Sequence, residues 1–229
     1  KSADMKDLIL QFYGDLVYGA TEAVDDDLKR NTFILATDAI EKRSSPIGFG
    51  CIKQLAVKTP QLVSENLEAI LGIIKTQLEI REDPPTEALQ SIQDNAESAL
   101  AMIAMHILND QFPLADFLQV ALSRMPAQLE LEENNDHIDF YFWLYEMAEN
   151  ADMLKDNLPS FAAVPVRLFS DPIDELPDNY VSSENIQRML QKLKEISTYI
   201  DSEEFKNFVN EVCENDDFKI ESVFEALER

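Results

Sequence analysis

Apolar residues recur every three or four positions along almost the whole chain, and no stretch sustains an alternation of apolar and polar residues. A period near 3.6 is typical of an amphipathic α-helix, whereas alternation is typical of a half-buried strand. The pattern is interrupted at prolines and at polar clusters, where helices usually end. The sequence therefore predicts an all-α protein of about ten or eleven helices joined by short loops.

The interruptions place the individual helices. Ser45 is suited to cap the start of a helix whose first residue is Pro46. The pattern predicts a linker at residues 82–85 and an acidic loop at residues 131–136. It predicts the longest irregular segment at residues 170–181. We expect Pro159 and Pro165 to bend or break the helix in which they lie. The other predicted helices cover 3–20, 28–42, 63–80, 87–108, 113–124, 138–150, 153–169, 183–200, 202–213 and 218–227.

Three stretches share one plan, in which a helix ends in a small residue and a short turn leads into a second periodic helix. They are CIKQLAVKTPQLVSENLEAIL, LAMIAMHILNDQFPLADFLQVAL and FWLYEMAENADMLKDNLPSFAAV, with the small residues Ala56, Ala104 and Ala148. The interval is roughly 45 residues, as in paired-helix HEAT repeats. The sequence predicts an α-solenoid of HEAT-type helix pairs, a right-handed superhelix forming one array over residues 1–229.

Charge changes the picture of what such a protein would bind. The chain has 19 Lys and Arg against 44 Asp and Glu, a net charge of −25. A negative field repels nucleic acid and anionic membranes and attracts basic proteins. The sequence contains no run of 18 apolar residues that would predict a membrane helix, and it contains no recognisable signal peptide. The acidity could also serve solubility alone.

Candidate catalytic chemistry is weak throughout the chain. Gly48 and Gly50 form a G-x-G, but a phosphate loop needs a preceding strand, and these glycines lie within a helical period. Cys51 and Cys213 lack neighbouring residues at the spacing of metal ligands. We therefore interpret them as buried, reduced thiols of a cytosolic or nuclear protein. His106 is isolated, as is His137, and no E-x-x-H pair is present. The sequence favours a non-enzyme without metal or cofactor, in which the two glycines mark close helix packing.

Residues 43–169, a little over half the chain, resemble the importin-β (karyopherin-β) family of nuclear transport receptors. In the large importins a HEAT helix typically reads R-x-x-A-x-(F/Y)-G-(L/I)-G-x-(L/M)-A. Features that follow this pattern loosely occur here in the same order and spacing: Arg43, Phe49 to Cys51 and Ala56; Asp94-Asn95; Ala99 to Ile103; Leu122 to Pro126; and the acidic loop and aromatic helix of 131–150. The departures are Pro46, where the family usually has Ala or another helix former, and the helix with Pro159 and Pro165.

The resemblance implies the C-terminal repeats of such a receptor, which carries basic cargo or nuclear localisation signals between cytoplasm and nucleus. Lys1 in place of an initiator Met fits a piece of a longer chain. Ran GTPase and nuclear pore proteins would bind through the full-length receptor, because Ran contacts in the family lie mainly in N-terminal repeats. A HEAT scaffold for another multiprotein assembly is the alternative.

The cargo site is expected on the concave helices, which we assign to the helices containing Gly50, Glu97 and Trp143. Two polar stripes at helical spacing are the candidates, because carboxylates beside an aromatic ring suit Lys and Arg side chains. Each residue could instead belong to a solvated acidic face, and Trp143 could belong to the core. The expected cargo-binding residues are Gln93, Asp94, Glu97, Asp136, Asp139, Trp143 and Glu146.

Overall fold

The computed structural model describes residues 3–171 and 181–229, and the regular structure in both ranges is helical, without a β-strand. The all-α prediction is confirmed. Its physical basis is the apolar period of three and four together with only five glycines in 229 residues, too few for the turns of a β-rich fold. Most of the predicted irregular segment at 170–181 lies outside the described residues.

The helices fall into two compact units, Lys1–Pro113 with Gln128–Glu130, and Leu114–Ala127 with Leu131–Arg229. The first contains α1 (Ala3–Gly19), α2 (Asp26–Arg43), α3 (Pro46–Lys58), α4 (Pro60–Ser64), α5 (Leu67–Glu79) and α6 (Glu87–Ile103), followed by a π-helical turn (Ala104–Leu108) and a 3₁₀ turn (Asn109–Gln111). The second contains α7 (Leu114–Leu122), a 3₁₀ turn (Leu131–Glu133), α8 (Asn134–Asn150), α9 (Leu154–Leu168), α10 (Ser183–Tyr199), α11 (Ser202–Val212) and α12 (Asp217–Glu228).

A tight corner joins α2 to α3, as the Ser-Pro start predicts. Ser44 takes the left-handed conformation with φ 49°, and its N–H donates to the carbonyl of Ile40 at 3.1 Å. The Ser45 hydroxyl then accepts from the N–H of Gly48 at 3.3 Å, with Pro46 as the first helical residue. A left-handed C-cap followed at once by an N-cap lets two helices meet without a linker.

The two glycines of the G-x-G have different environments. A Cβ atom at Gly48 would lie 2.8 Å from Ile40 Cγ2 and 3.1 Å from Ala39 Cβ, so the predicted close packing is confirmed there. A Cβ atom at Gly50 would meet only Asn95 Oδ1, at an ordinary 3.5 Å. The prediction of close packing is therefore wrong for Gly50, because a larger residue at this position would not disturb the contacts between α3 and its neighbours.

Three predicted boundaries differ from the structure. The acidic loop expected at 131–136 is shorter, because α8 begins at Asn134, whose side chain accepts from the N–H of Ala127 at 2.8 Å. The helix expected at 63–80 is interrupted between α4 and α5. The helix expected at 87–108 ends as α-helix at Ile103 and continues as the π-helical turn.

Helix α9 runs unbroken through both of its prolines. Pro165 has no N–H, so it leaves the carbonyl of Phe161, four residues earlier, without its helical donor. The hydroxyl of Tyr141 on α8 donates to that carbonyl at 3.3 Å. At Pro165 a side chain from the neighbouring helix thus supplies the donor that the backbone lacks, and the predicted break does not occur at either proline.

Candidate functional site

The first unit contains a groove built around α3, which contacts α1, α2 and α6. The groove has a volume of about 410 Å³, within the ~300–1,000 Å³ usual for ligand sites. Its charged and polar lining comes from α1, α3, α6 and the loop at 128–130. The members that matter for recognition are Asp7, Asp15, Ser45, Gln54, Asn95 and Glu130.

At one end of the groove Asp7 is held in a bidentate ion pair. Arg43 approaches the two Asp7 carboxylate oxygens at 2.9 and 3.0 Å, and the Ser45 hydroxyl donates to one of them at 3.2 Å. This geometry fixes the carboxylate and neutralises part of its charge. Asp7 therefore shapes the groove more than it contributes to the groove's negative charge.

Asp15 supplies a more available carboxylate further along the groove. Its side chain is exposed, and Gln54 Nε2 donates to Asp15 Oδ1 at 3.3 Å. The other end of the same amide is different, because Gln54 Oε1 is buried and accepts no hydrogen bond from the described part of the chain. This oxygen faces Gly14 of α1, where an added Cβ would come within 2.6 Å of it, so Gln54 belongs partly to the contact between α1 and α3.

Glu130 reaches the groove from a loop that α6 anchors. The Asp94 carboxylate accepts from the N–H of Gln128 at 3.1 Å, of Leu129 at 2.7 Å and of Glu130 at 2.9 Å. The Ser91 hydroxyl donates to the Glu130 carboxylate. Asp94 thereby satisfies three backbone donors in a row and positions Glu130 toward Asp15 and Asp7.

The floor of the groove is less polar than its rim. Pro46, Ile47, Gly50 and Cys51 of α3 lie there. Asn95 of α6 stands opposite Gly50, with its Nδ2 donating to the Ser91 carbonyl at 3.0 Å. The site therefore combines an apolar floor with carboxylates at the rim, which suits a ligand with an aliphatic stem and a cationic head.

The Cys51 thiol is not a nucleophile in this setting. It is 3% exposed, and its Sγ lies 3.4 Å from the Leu10 carbonyl oxygen, to which it donates. Burial, helped by the negative charge of Asp15, raises the pKa of the Cys51 thiol to about 12. Burial also raises the pKa of Cys213. The sequence-based interpretation of both residues as buried thiols is confirmed.

We expect Cys51 to resist alkylation in the folded protein. In a Cys213→Ser variant, iodoacetamide should label Cys51 at least about 100-fold more slowly at neutral pH than in urea, because the thiolate is the reactive form. The native rate should keep rising above about pH 10, where an ordinary thiol is almost fully ionised and its rate levels off. Equal labelling rates with and without urea would show that the thiol is neither buried nor perturbed.

Three of the predicted cargo-binding residues are not on an accessible stripe. Gln93, Asp94 and Glu97 are 3%, 2% and 0% exposed, because α6 is covered by α3 and α5. Gln93 Nε2 donates to the carbonyls of Gln77 and Ile80 at 2.9 and 3.0 Å, at the C-terminal end of α5. Gln93 and Asp94 satisfy backbone groups, and all three side chains stay inside the unit, so a ligand on the surface would not touch them.

The other four predicted residues lie on α8 in the second unit. Asp139 and Glu146 are exposed, while Asp136 and Trp143 are half-buried, and Trp143 stacks on Phe140 with ring centroids 5.8 Å apart. Arg188 of α10 pairs with Asp139 at 2.7 Å. This part of the expected stripe already holds an arginine, and it is the chain's own.

The Arg188 contact has the chemistry expected for a bound cation. Its guanidinium lies 4.2 Å from the centroid of the Phe142 ring, so a carboxylate and an aromatic ring hold it together. Lys192, one turn further along α10, lies over the Tyr145 ring at 3.9 Å. The predicted type of recognition therefore occurs, but between α8 and α10. Of the stripe's other two carboxylates, Glu146 is exposed and Asp136 is half-buried.

Sequence reasoning missed the groove, although part of its signal was readable. Asp7, Gln11 and Asp15 are four residues apart and so share one face of α1. Glu130 had no such signal, because it enters the groove only through the anchoring of its loop by Asp94. The opening stretch of α3 was correctly identified as helix, but its role as the groove floor was not.

Comparison with known proteins adds no relative: no family model, curated protein or solved structure matches the chain. Within the described ranges no helix is both long and apolar enough to cross a membrane.

Proposed function

We propose that this chain is a HEAT-type helical-repeat segment of a nuclear transport receptor and that it binds basic stretches of cargo proteins. The ordered motifs of residues 43–169 support the family. The wholly helical architecture of the described residues is compatible with stacked helix pairs. In this proposal the full-length receptor shuttles between cytoplasm and nucleus, and Ran and nuclear pore proteins bind it outside this segment.

The observation that carries the proposal is the groove of the first unit. Carboxylates from α1 and from the loop at 128–130 face one concavity in a chain of net charge −25. Opposite charge speeds encounter and rejects wrong partners, and charge-assisted hydrogen bonds hold the ligand. Lys- and Arg-rich segments are the ligand class that this surface fits best.

Peptide binding tests this function. We expect a labelled Lys- and Arg-rich peptide to bind the whole chain, as measured by fluorescence anisotropy. Its affinity should fall steeply between about 0.05 M and 0.5 M salt. Neutralising the groove with Asp15→Asn and Glu130→Gln should lower affinity about tenfold or more. Matched neutralisation of Asp110 and Glu79, exposed residues outside the groove, should change affinity less than about twofold.

Two results would contradict the proposal. One is the absence of salt-sensitive binding by any basic peptide. The other is an equal loss in the groove variant and its matched control, which would mean that only net charge matters. An Asp136→Asn and Glu146→Gln variant assigns the remaining affinity to α8 or excludes it.

A scaffold for another multiprotein assembly is the second candidate, and one observation favours it. Leu8 and Phe12 on α1 are 64% and 62% exposed, so an apolar surface is open to a protein partner. Apolar binding depends little on salt. A partner that is captured equally at low and high salt, and released by Leu8→Glu with Phe12→Glu, would favour the scaffold over the transport receptor.

A further inference from the structure

Gly50 lies inside a helix where a glycine has no structural reason to be. It occupies the middle of α3 with ordinary helical backbone, since no glycine among the described residues has a positive φ. A glycine there weakens the helix relative to alanine. Packing does not require it either, because an added Cβ would meet only Asn95 Oδ1 at 3.5 Å.

The neighbouring glycine makes the contrast clear. Gly48 faces α2, where an added Cβ would collide with Ile40 Cγ2 at 2.8 Å, so packing alone accounts for that residue. Gly50, two residues on, faces the groove and is half-buried. A side chain at this position would occupy the space above the groove floor.

We propose that Gly50 is a specificity-determining residue that keeps the groove open for one unbranched cationic side chain, a lysine or arginine of the bound peptide. The proposal rests on the proposed function and names the part of the ligand that enters. The aliphatic stem lies over Gly50 and against Ile47 and Pro46, while the charged head reaches Asp15 and Glu130. A side chain at position 50 would displace the stem without touching either carboxylate.

The rest of the groove fits this occupant. Lys and Arg bury an aliphatic stem and keep the cation at a polar rim, which matches an apolar floor bordered by carboxylates. Asp15, exposed on α1, and Glu130, half-buried on its loop, are the carboxylates that the cation would meet. A shorter stem would cover less of the apolar floor than the stem of lysine or arginine does.

Filling the space tests the assignment. Gly50→Met adds an unbranched side chain that favours helix, and Gly72→Met is its control, because Gly72 lies on α5 with no atom within 4 Å of an added Cβ. For a peptide with a single central lysine, Gly50→Met should lower affinity about tenfold or more, while Gly72→Met leaves it within about twofold. The thermal midpoint of Gly50→Met should equal or exceed that of the unmodified chain.

Ligand variation gives the second measurement. The unmodified chain should prefer the lysine peptide over one with diaminobutyrate, whose stem is two carbons shorter, and Gly50→Met should abolish that preference. If Gly50→Met keeps affinity and preference while Asp15→Asn with Glu130→Gln loses affinity, the Gly50 assignment is wrong and the proposed function survives. If Gly50→Met lowers the thermal midpoint, the space is not free and the assignment is also wrong. If no basic peptide binds the unmodified chain, both proposals are wrong.

Discussion

Replacing Asp94 with alanine is expected to destabilise the first unit by roughly 3 kcal/mol or more, the largest effect of any polar substitution discussed for this protein. The Asp94 carboxylate is 2% exposed and accepts from three consecutive backbone N–H groups, those of residues 128–130. Alanine leaves these three donors without their acceptor on a partly buried loop, and it removes the charge-assisted hydrogen bonds that fix the loop to α6.

Hydrogen exchange measured by mass spectrometry is the appropriate measurement, because it resolves the segment directly. Backbone amides of residues 128–130 should lose protection in Asp94→Ala by about 100-fold or more. Asp94→Asn should lose less, since its amide oxygen still accepts one or two of the hydrogen bonds. Asp110→Ala, at an exposed aspartate of the same unit, serves as the control. Unchanged protection at 128–130 in Asp94→Ala would refute the anchoring role.

The same variant links stability to function. Asp94 touches no ligand in the proposed site, yet it positions Glu130 at the rim of the groove. At temperatures where the unit is still folded, Asp94→Asn should therefore lower the affinity for the lysine peptide. The loss should be close to the loss that Glu130→Gln causes alone. Combining the two changes should add little, because both remove the same carboxylate from the groove.

Replacing Phe161 with alanine is expected to destabilise the second unit by roughly 3–5 kcal/mol. Phe161 is 0% exposed and packs edge-on against Tyr141 and Tyr145, with ring centroids 5.7 and 5.2 Å apart. Its removal opens a cavity between α8 and α9 at the place where the Tyr141 hydroxyl supports the backbone before Pro165. Loss of the ring therefore loosens the surroundings of that hydrogen bond as well.

Urea unfolding followed by tryptophan fluorescence measures this effect, because Trp143, the single tryptophan, lies on α8 in the second unit. Phe161→Leu should cost less than half as much as Phe161→Ala, since it fills part of the cavity. Phe218→Ala is the matched control, at a phenylalanine of the same unit that is 60% exposed, and should change stability by less than about 0.5 kcal/mol. A similar loss for Phe161→Ala and Phe218→Ala would contradict the assigned core.

Local sequence signals predicted the helices well because the energies that start and stop a helix are local. Thr86 accepts from the N–H of Leu89 at 3.3 Å, and Ser45 and Asp25 cap their helices in the same way. The buried stripe that each helix presents follows from the apolar period alone. Ala56, Ala104 and Ala148, the small residues of the three similar stretches, are all 0% exposed.

The prediction that residues on α6 are accessible to a ligand was wrong for a different reason. Helical spacing shows which side chains share a face, but not what covers that face. Gln93 and Asp94 look like surface residues by type, yet α5 and the loop at 128–130 bring backbone groups that need them. On α8, Asp139 was expected to bind a cation of the cargo, and the sequence does not show that Arg188 of the same chain, 49 positions away, lies 2.7 Å from it.

The sequence by itself determined that this protein is helical, where most helices begin and end, that both thiols are buried, and that the chain carries a net charge of −25. Those properties depend on neighbouring residues or on composition. Only the tertiary structure decided which carboxylates surround a groove, that Gly48 is required by packing and Gly50 is not, and that α9 continues through Pro165. Each of these depends on contacts between residues distant in the chain, which periodicity and capping do not encode.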